Sequence, residues 1–157
     1  MMNVLMISPG YPADMPEFTR GLRESGARVF GVGDQHAGGL PDLVRHSLSD
    51  YIQVSSLWDA PRVIAELTQK LRGRDLDRIE CLWEPGVMLA AELREHFGVK
   101  GMNVEHARLF RDKEAMKVAL DKAGIRTPRH VAVDSVAGCW EAAESIGFPL
   151  ILKPIDG

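Results

Sequence analysis

"NVLMISPGYP", residues 3–12, decides how the first part of this chain folds. Val4 to Ile7 are apolar without alternation, and Ser8, Pro9 and Gly10 then break the run. A strand with no polar face must be covered on both sides, as in a parallel sheet between two helix layers. No basic residues precede the run and it turns at Pro9-Gly10, so it reads as a first strand and not as a signal peptide.

Outward from this strand, apolar runs alternate with helical patterns. "EFTRGLRES" (17–25) places Phe18 and Leu22 four apart and is stopped by Gly26. "ARVFGVG" (27–33) is a second strand. A loop with Gly38-Gly39 and a turn of helix near Leu40 to His46 leads to a third, "DYIQV" (50–54). "PRVIAELTQKL" (61–71) gathers Ile64, Leu67 and Leu71 on one face, with Asp59 as N-cap and Pro61 in the first turn. "RIECLW" (78–83) is a fourth strand, "GVMLAAELREHF" (86–97) an apolar helix ended by Gly98, and a short strand is expected near Lys100 to Asn103. The sum is a Rossmann-like parallel sheet with helices on both faces.

The pattern changes near residue 105. "DKEAMKVALDKAG" (112–124) has Met116, Ala119, Leu120 and Ala123 on one stripe, Asp112 placed to cap it, and Gly124 where a left-handed residue is needed. A Thr127-Pro128 turn precedes a strand expected over His130 to Val133. "SVAGCWEAAESIG" (135–147) is a helix capped by Asp134 or Ser135, and "FPLILK" (148–153) reads as a strand. The expected division is a domain over 1–107 and the start of a second over 108–157, whose few elements bury too little surface to form a core alone.

Composition narrows the function classes. The 157 residues are 45% apolar and 26% charged with net charge −3. No stretch collects five basic residues and no apolar run spans a bilayer, so neither nucleic acid nor membrane is expected as a partner. Cys81 and Cys139 form no CxxC pair and read as reduced core thiols of a cytoplasmic protein. His36, His46, His96, His106 and His130 share no metal spacing. Trp83 and Trp140 read as core or interface anchors.

Two lysines stand out. Lys153 ends an apolar strand, where an ammonium is costly unless it meets an anion, so phosphate is a natural partner. The structural alternative is an edge residue that snorkels into water. Lys113 has Met116 and Leu120 as its i+3 and i+7 neighbours and therefore borders the apolar stripe.

In order along the chain, Asp112-Lys113, Gly124-Ile125-Arg126-Thr127-Pro128, Gly147-Phe148-Pro149 and Lys153-Pro154 resemble the ATP-grasp superfamily. The resemblance implies that Lys113 and Lys153 contact ATP, with Lys153 near the α- and β-phosphates and the adenine edge. It implies an ATP-dependent ligase that activates a carboxylate as an acylphosphate and joins it to an amine or similar nucleophile. The first domain resembles the Rossmann-like domain that precedes the ATP-grasp unit, where strand ends line a carboxylate or amine pocket. Ser8, Gly10, Tyr11 and Glu84 occupy that place. Glu84 also suits the start of the next helix by charge alone. The loop after the first strand is not a GxGxxG, and no acidic residue is read as closing the second strand, so NAD and FAD are not expected. In relatives a glycine- and serine-rich loop follows Lys-Pro, and the Mg²⁺ ligands come later still. Both are therefore expected beyond Gly157, with this chain an inactive N-terminal part. Homodimerisation stays open. The rival expectation is a non-catalytic Rossmann-like small-molecule-binding or interaction module.

Overall fold

The computed structural model describes residues 1–155. These divide into two compact units, Met1–Val104 and a second that starts at Glu105. In the first, β1 (Asn3–Ile7), β2 (Arg28–Gly33), β3 (Asp50–Gln53) and β4 (Arg78–Glu80) form a parallel sheet in the order β3-β2-β1-β4. The apolar run that opens the chain is its centre: Val4, Leu5, Met6 and Ile7 are at most 1% exposed.

Side chains alternate across the sheet, and each set finds its own helices. Leu5, Ile7, Val32, Ile52 and Ile79 pack with Val63, Leu67 and Leu71 of the α3 region (Ala60–Lys70) and with Leu89, Ala90 and Leu93 of α4 (Val87–Phe97). Met6 and Val29 pack with Met15 and Leu22 of α1 (Met15–Glu24) and with Leu48, just past α2 (Asp42–Ser47). Both faces are covered, as the unbroken apolar strands require.

The helix ends follow local chemistry. The Asp59 carboxylate accepts from the Arg62 amide at 3.2 Å to start α3. Gly98, at φ 65°, ends α4 in the left-handed conformation that a side chain would disfavour. Arg94, 8% exposed, ties α4 to its strand. Its Nε donates to the Ile79 carbonyl at 2.7 Å, its Nη2 meets Glu80 Oε2 at 3.1 Å, and its Nη1 donates to the Met102 carbonyl at 3.2 Å. A Cβ on Gly101 would sit 2.7 Å from the Arg94 Cδ. The strand expected over 100–103 therefore does not form: the Met102 carbonyl that a ladder would use is taken by the arginine. No helix of the described residues is long and apolar enough to cross a membrane.

The second unit holds α5 (Val104–Arg111, entered from the first unit), α6 (Lys113–Lys122) and α7 (Val136–Ile146). Sequence periodicity did not signal α5. The caps of the other two are as read, with Asp112 accepting from the Ala115 amide at 2.9 Å and Ser135 from the Gly138 amide at 3.1 Å. Gly124, at φ 68°, lets the chain turn after α6. The strands expected over 130–133 and 148–153 are absent: both segments are irregular, and neither pairs with a strand among the described residues. Without a ladder partner, extended backbone in water has no advantage over coil. Gly157, which from the sequence belongs to a turn after Pro154, lies outside the described residues.

Candidate functional site

The order β3-β2-β1-β4 puts a topological switch beside β1, since the chain goes to one side for β2 and to the other for β4. Ligands of open parallel sheets bind at the carboxyl ends of strands near such a switch. A cleft of about 100 Å³ lies there, lined among others by Ser8, Tyr11, Asp34, Tyr51, Trp58 and Trp83.

The loop after β1 is tightly held. Ser8 takes φ 52°, a left-handed conformation rare outside glycine, and its Oγ donates to the Tyr11 carbonyl at 2.8 Å. Thr19, buried on α1, donates to the Pro9 carbonyl at 3.1 Å. Of the expected substrate residues, Ser8 and Tyr11 line the cleft. Gly10 stands beside it, where a Cβ would come within 3.2 Å of Leu40 Cδ2 and Pro41 Cδ. Glu84 opens a short 3₁₀ turn, Glu84–Gly86, and is exposed; it is not among the residues that line the cleft.

Sequence reasoning missed Asp34. It follows β2 directly, so the reading that no acidic residue closes the second strand is corrected. The signal was present in "VFGVGD", an apolar run ending on a carboxylate. Asp34 Oδ2 accepts the Leu57 amide at 3.2 Å. Tyr51 reaches over Gly33, where a Cβ would lie 2.6 Å from its hydroxyl, and donates to the Gln35 carbonyl at 2.9 Å. Burial first, and the Asp34 charge second, push the Tyr51 phenol up to about 12. Trp83 is half-buried and packs against both core clusters while facing the cleft. Trp140, read as an anchor, is 66% exposed.

The two lysines belong to the second unit. Lys113 opens α6, and its backbone amide donates to the Ile155 carbonyl at 3.0 Å while its Nζ donates to the same oxygen at 3.3 Å. Ile155 is two residues past Lys153, so the Lys153-Pro154 segment runs beside the start of α6. Lys153 is exposed and ends an irregular segment, which corrects the picture of a buried strand delivering a charge. Cys81 is a buried thiol, as expected, whereas Cys139 is only half-buried. Among the described residues no three His, Cys, Asp or Glu side chains gather to hold a metal ion, so no step is assigned to Mg²⁺ here.

No family model matches the chain. Over 115 residues it is 33% identical to an L-arginine-specific L-amino acid ligase from Bacillus subtilis, covering 73% of this chain and 28% of that relative. Its fold matches an L-amino acid ligase from Bacillus licheniformis with a TM-score of 0.81 and 19% identity, over 100% of this chain and 38% of the other. It also matches N5-carboxyaminoimidazole synthetase from Staphylococcus aureus, solved with ADP, with a TM-score of 0.66 and 18% identity, over 94% of this chain and 36% of that one. The homologues are ATP-grasp carboxylate–amine ligases, the superfamily that the sequence motifs resemble. This chain spans roughly a quarter to two fifths of the length of these relatives.

Proposed function

We propose that the chain serves an ATP-dependent ligase that activates a carboxylate as an acylphosphate and joins it to an amine. In that chemistry a carboxylate oxygen attacks the γ-phosphorus and ADP leaves with the electron pair of the broken P–O bond. The amine then attacks the acyl carbon, gives up a proton and displaces phosphate. Such catalysis is mainly positioning and neutralisation of charge.

Residues 1–107 act in this reading as the substrate-side domain and 108–157 as the beginning of the ATP-grasp domain. Lys113 and Lys153 bind ATP; Ser8, Gly10, Tyr11 and Glu84 serve the substrate side. The observation that carries the reading is the pair of hydrogen bonds from Lys113 to the Ile155 carbonyl. They bring the helix that opens on one lysine to the segment that carries the other, as a shared triphosphate site needs. Homology to ligases favours this over a non-catalytic binding module.

The test is ADP release by the ligase that carries this chain, against a panel of amino acids and other carboxylates. Lys153→Ala is expected to weaken ATP use at least about tenfold, the scale of a lost charge-assisted contact. Wild-type ATP affinity and turnover in that variant would remove Lys153 from the site.

A further inference from the structure

The strand-end cleft of Met1–Val104 has a definite chemical character. Tyr11 and Trp58 stand at 81° and 71° to the plane of Trp83, with ring centroids 5.7 and 5.3 Å from it. Tyr11 is 54% and Trp58 69% exposed, although both rings are large and apolar. Three rings meeting at steep angles around a small space make an aromatic box, whose π faces attract cations. A carboxylate completes it. Asp34 spends one oxygen on the Leu57 amide, and its other oxygen takes no hydrogen bond from the described residues. The lining holds this one acid and no Lys, Arg or His.

The same cleft is poorly made for phosphate. In the loop after β1, Pro9 and Pro12 lack an N–H. Ser8 donates its own to the Val32 carbonyl at 2.8 Å, and Tyr11 to the Ser8 carbonyl at 3.3 Å. Few backbone donors remain to cradle an anion. Helix α1 begins with Asp14 as N-cap and Glu17 in its first turn, so the usual anion-attracting helix start already carries negative charge. A dinucleotide would therefore find the acidic residue after β2 without the phosphate cradle that goes with it.

We infer that this cleft binds the cationic side-chain end of a substrate, a guanidinium or a side-chain ammonium, between the Tyr11, Trp58 and Trp83 rings and the Asp34 carboxylate. The volume of about 100 Å³ suits a head group of a few heavy atoms and not a whole nucleotide. The inference rests on the ligase reading only for calling this ligand a substrate. The raised Tyr51 phenol stays neutral at ordinary pH, so Asp34 faces no second anion there.

The test is calorimetric titration of this chain with L-arginine and with L-citrulline, which keeps the shape and the α-ammonium and removes the side-chain charge. Arginine is expected to bind at least about tenfold more tightly. Asp34→Asn keeps an oxygen for the Leu57 amide and should shrink the preference to within about threefold. Trp58→Leu, at an exposed site, should weaken arginine about tenfold with the circular dichroism unchanged. Equal affinity for the two ligands, or no arginine binding at tens of millimolar, overturns the inference. Neither outcome touches the ATP reading, because the titration contains no ATP and ADP release in Lys153→Ala is measured separately.

Discussion

Two unbroken apolar runs meet opposite fates in this molecule. Val4 to Ile7 lie at the centre of a sheet and are at most 1% exposed, whereas Leu150, Ile151 and Leu152 are 37%, 80% and 70% exposed. The contrast extends to their surroundings. The first unit packs a continuous core on one sheet face and a smaller cluster on the other. Among the described residues of the second unit, Ala107 and Ala143 are the buried side chains, while Phe110, Trp140 and Phe148 stand more than half exposed. An apolar run becomes a core strand only when neighbours supply both a hydrogen-bond ladder and a covering layer. Apolar area left in water contributes nothing to stability.

The largest expected consequence is in local opening. Amides of β1 and β2 should exchange with solvent only through global unfolding of the first unit. Those of α6 and α7 should exchange through cheap local opening, on the order of 10³-fold faster or more. Hydrogen exchange read residue by residue checks this. Equal protection in the two units would mean that the second has a source of stability other than its own buried surface.

Arg94 offers a smaller, sharper test inside the first unit. Arg94→Ala strands the Ile79 carbonyl, the Met102 carbonyl and the Glu80 carboxylate at once. A loss of about 2 kcal/mol is expected, because two carbonyls lose a charged donor while the Glu80 side chain, 38% exposed, is still reached by water. Denaturant unfolding followed by the first unit's signal measures it, and α6 and α7 should be indifferent. A loss below roughly 0.5 kcal/mol would show that water replaces the arginine without cost.

The legibility of each region follows the same physics. The sheet could be read because β1 and, past Arg28, β2 are buried on both faces, and such strands are apolar throughout, whatever their neighbours are. Helix caps at Asp59, Asp112 and Ser135 could be read because capping is settled within four residues of chain. Extended segments 130–133 and 148–153 could not, because a strand is a property of a pair and composition sees one member. Helix α5 escaped notice because two turns with Val104, Ala107 and Phe110 give little periodicity to read. In the site, Ser8 and Tyr11 were legible from their place after a strand. The aromatic box was not, since Tyr11, Trp58 and Trp83 come from three separate loops that only the fold brings together.

The two cysteines carry the comparison into chemistry. Burial, opposed by a backbone hydrogen bond at Trp83 and by the Arg94 charge, pushes the Cys81 thiol from 9.0 to about 11. At a given pH below 9 it therefore holds roughly 100-fold less thiolate than an ordinary cysteine, before access is counted. Cys139 is half-buried and should be alkylated first, and Cys81 only as the first unit opens. The sign for stability follows. The folded state keeps this group neutral beyond the pH at which the unfolded chain ionises it. Its contribution is thus full below about 9 and is lost as pH rises through about 11. Cys81→Ala should flatten that part of the alkaline decline. Thiol labelling with mass-spectrometric readout at pH 8, paired with melting curves from pH 8 to 11, tests both halves (the pH values on the order of those set by the thiol). Rapid labelling of Cys81 in the folded chain would mean that the sheet's edge at β4 opens far more readily than its buried neighbours allow.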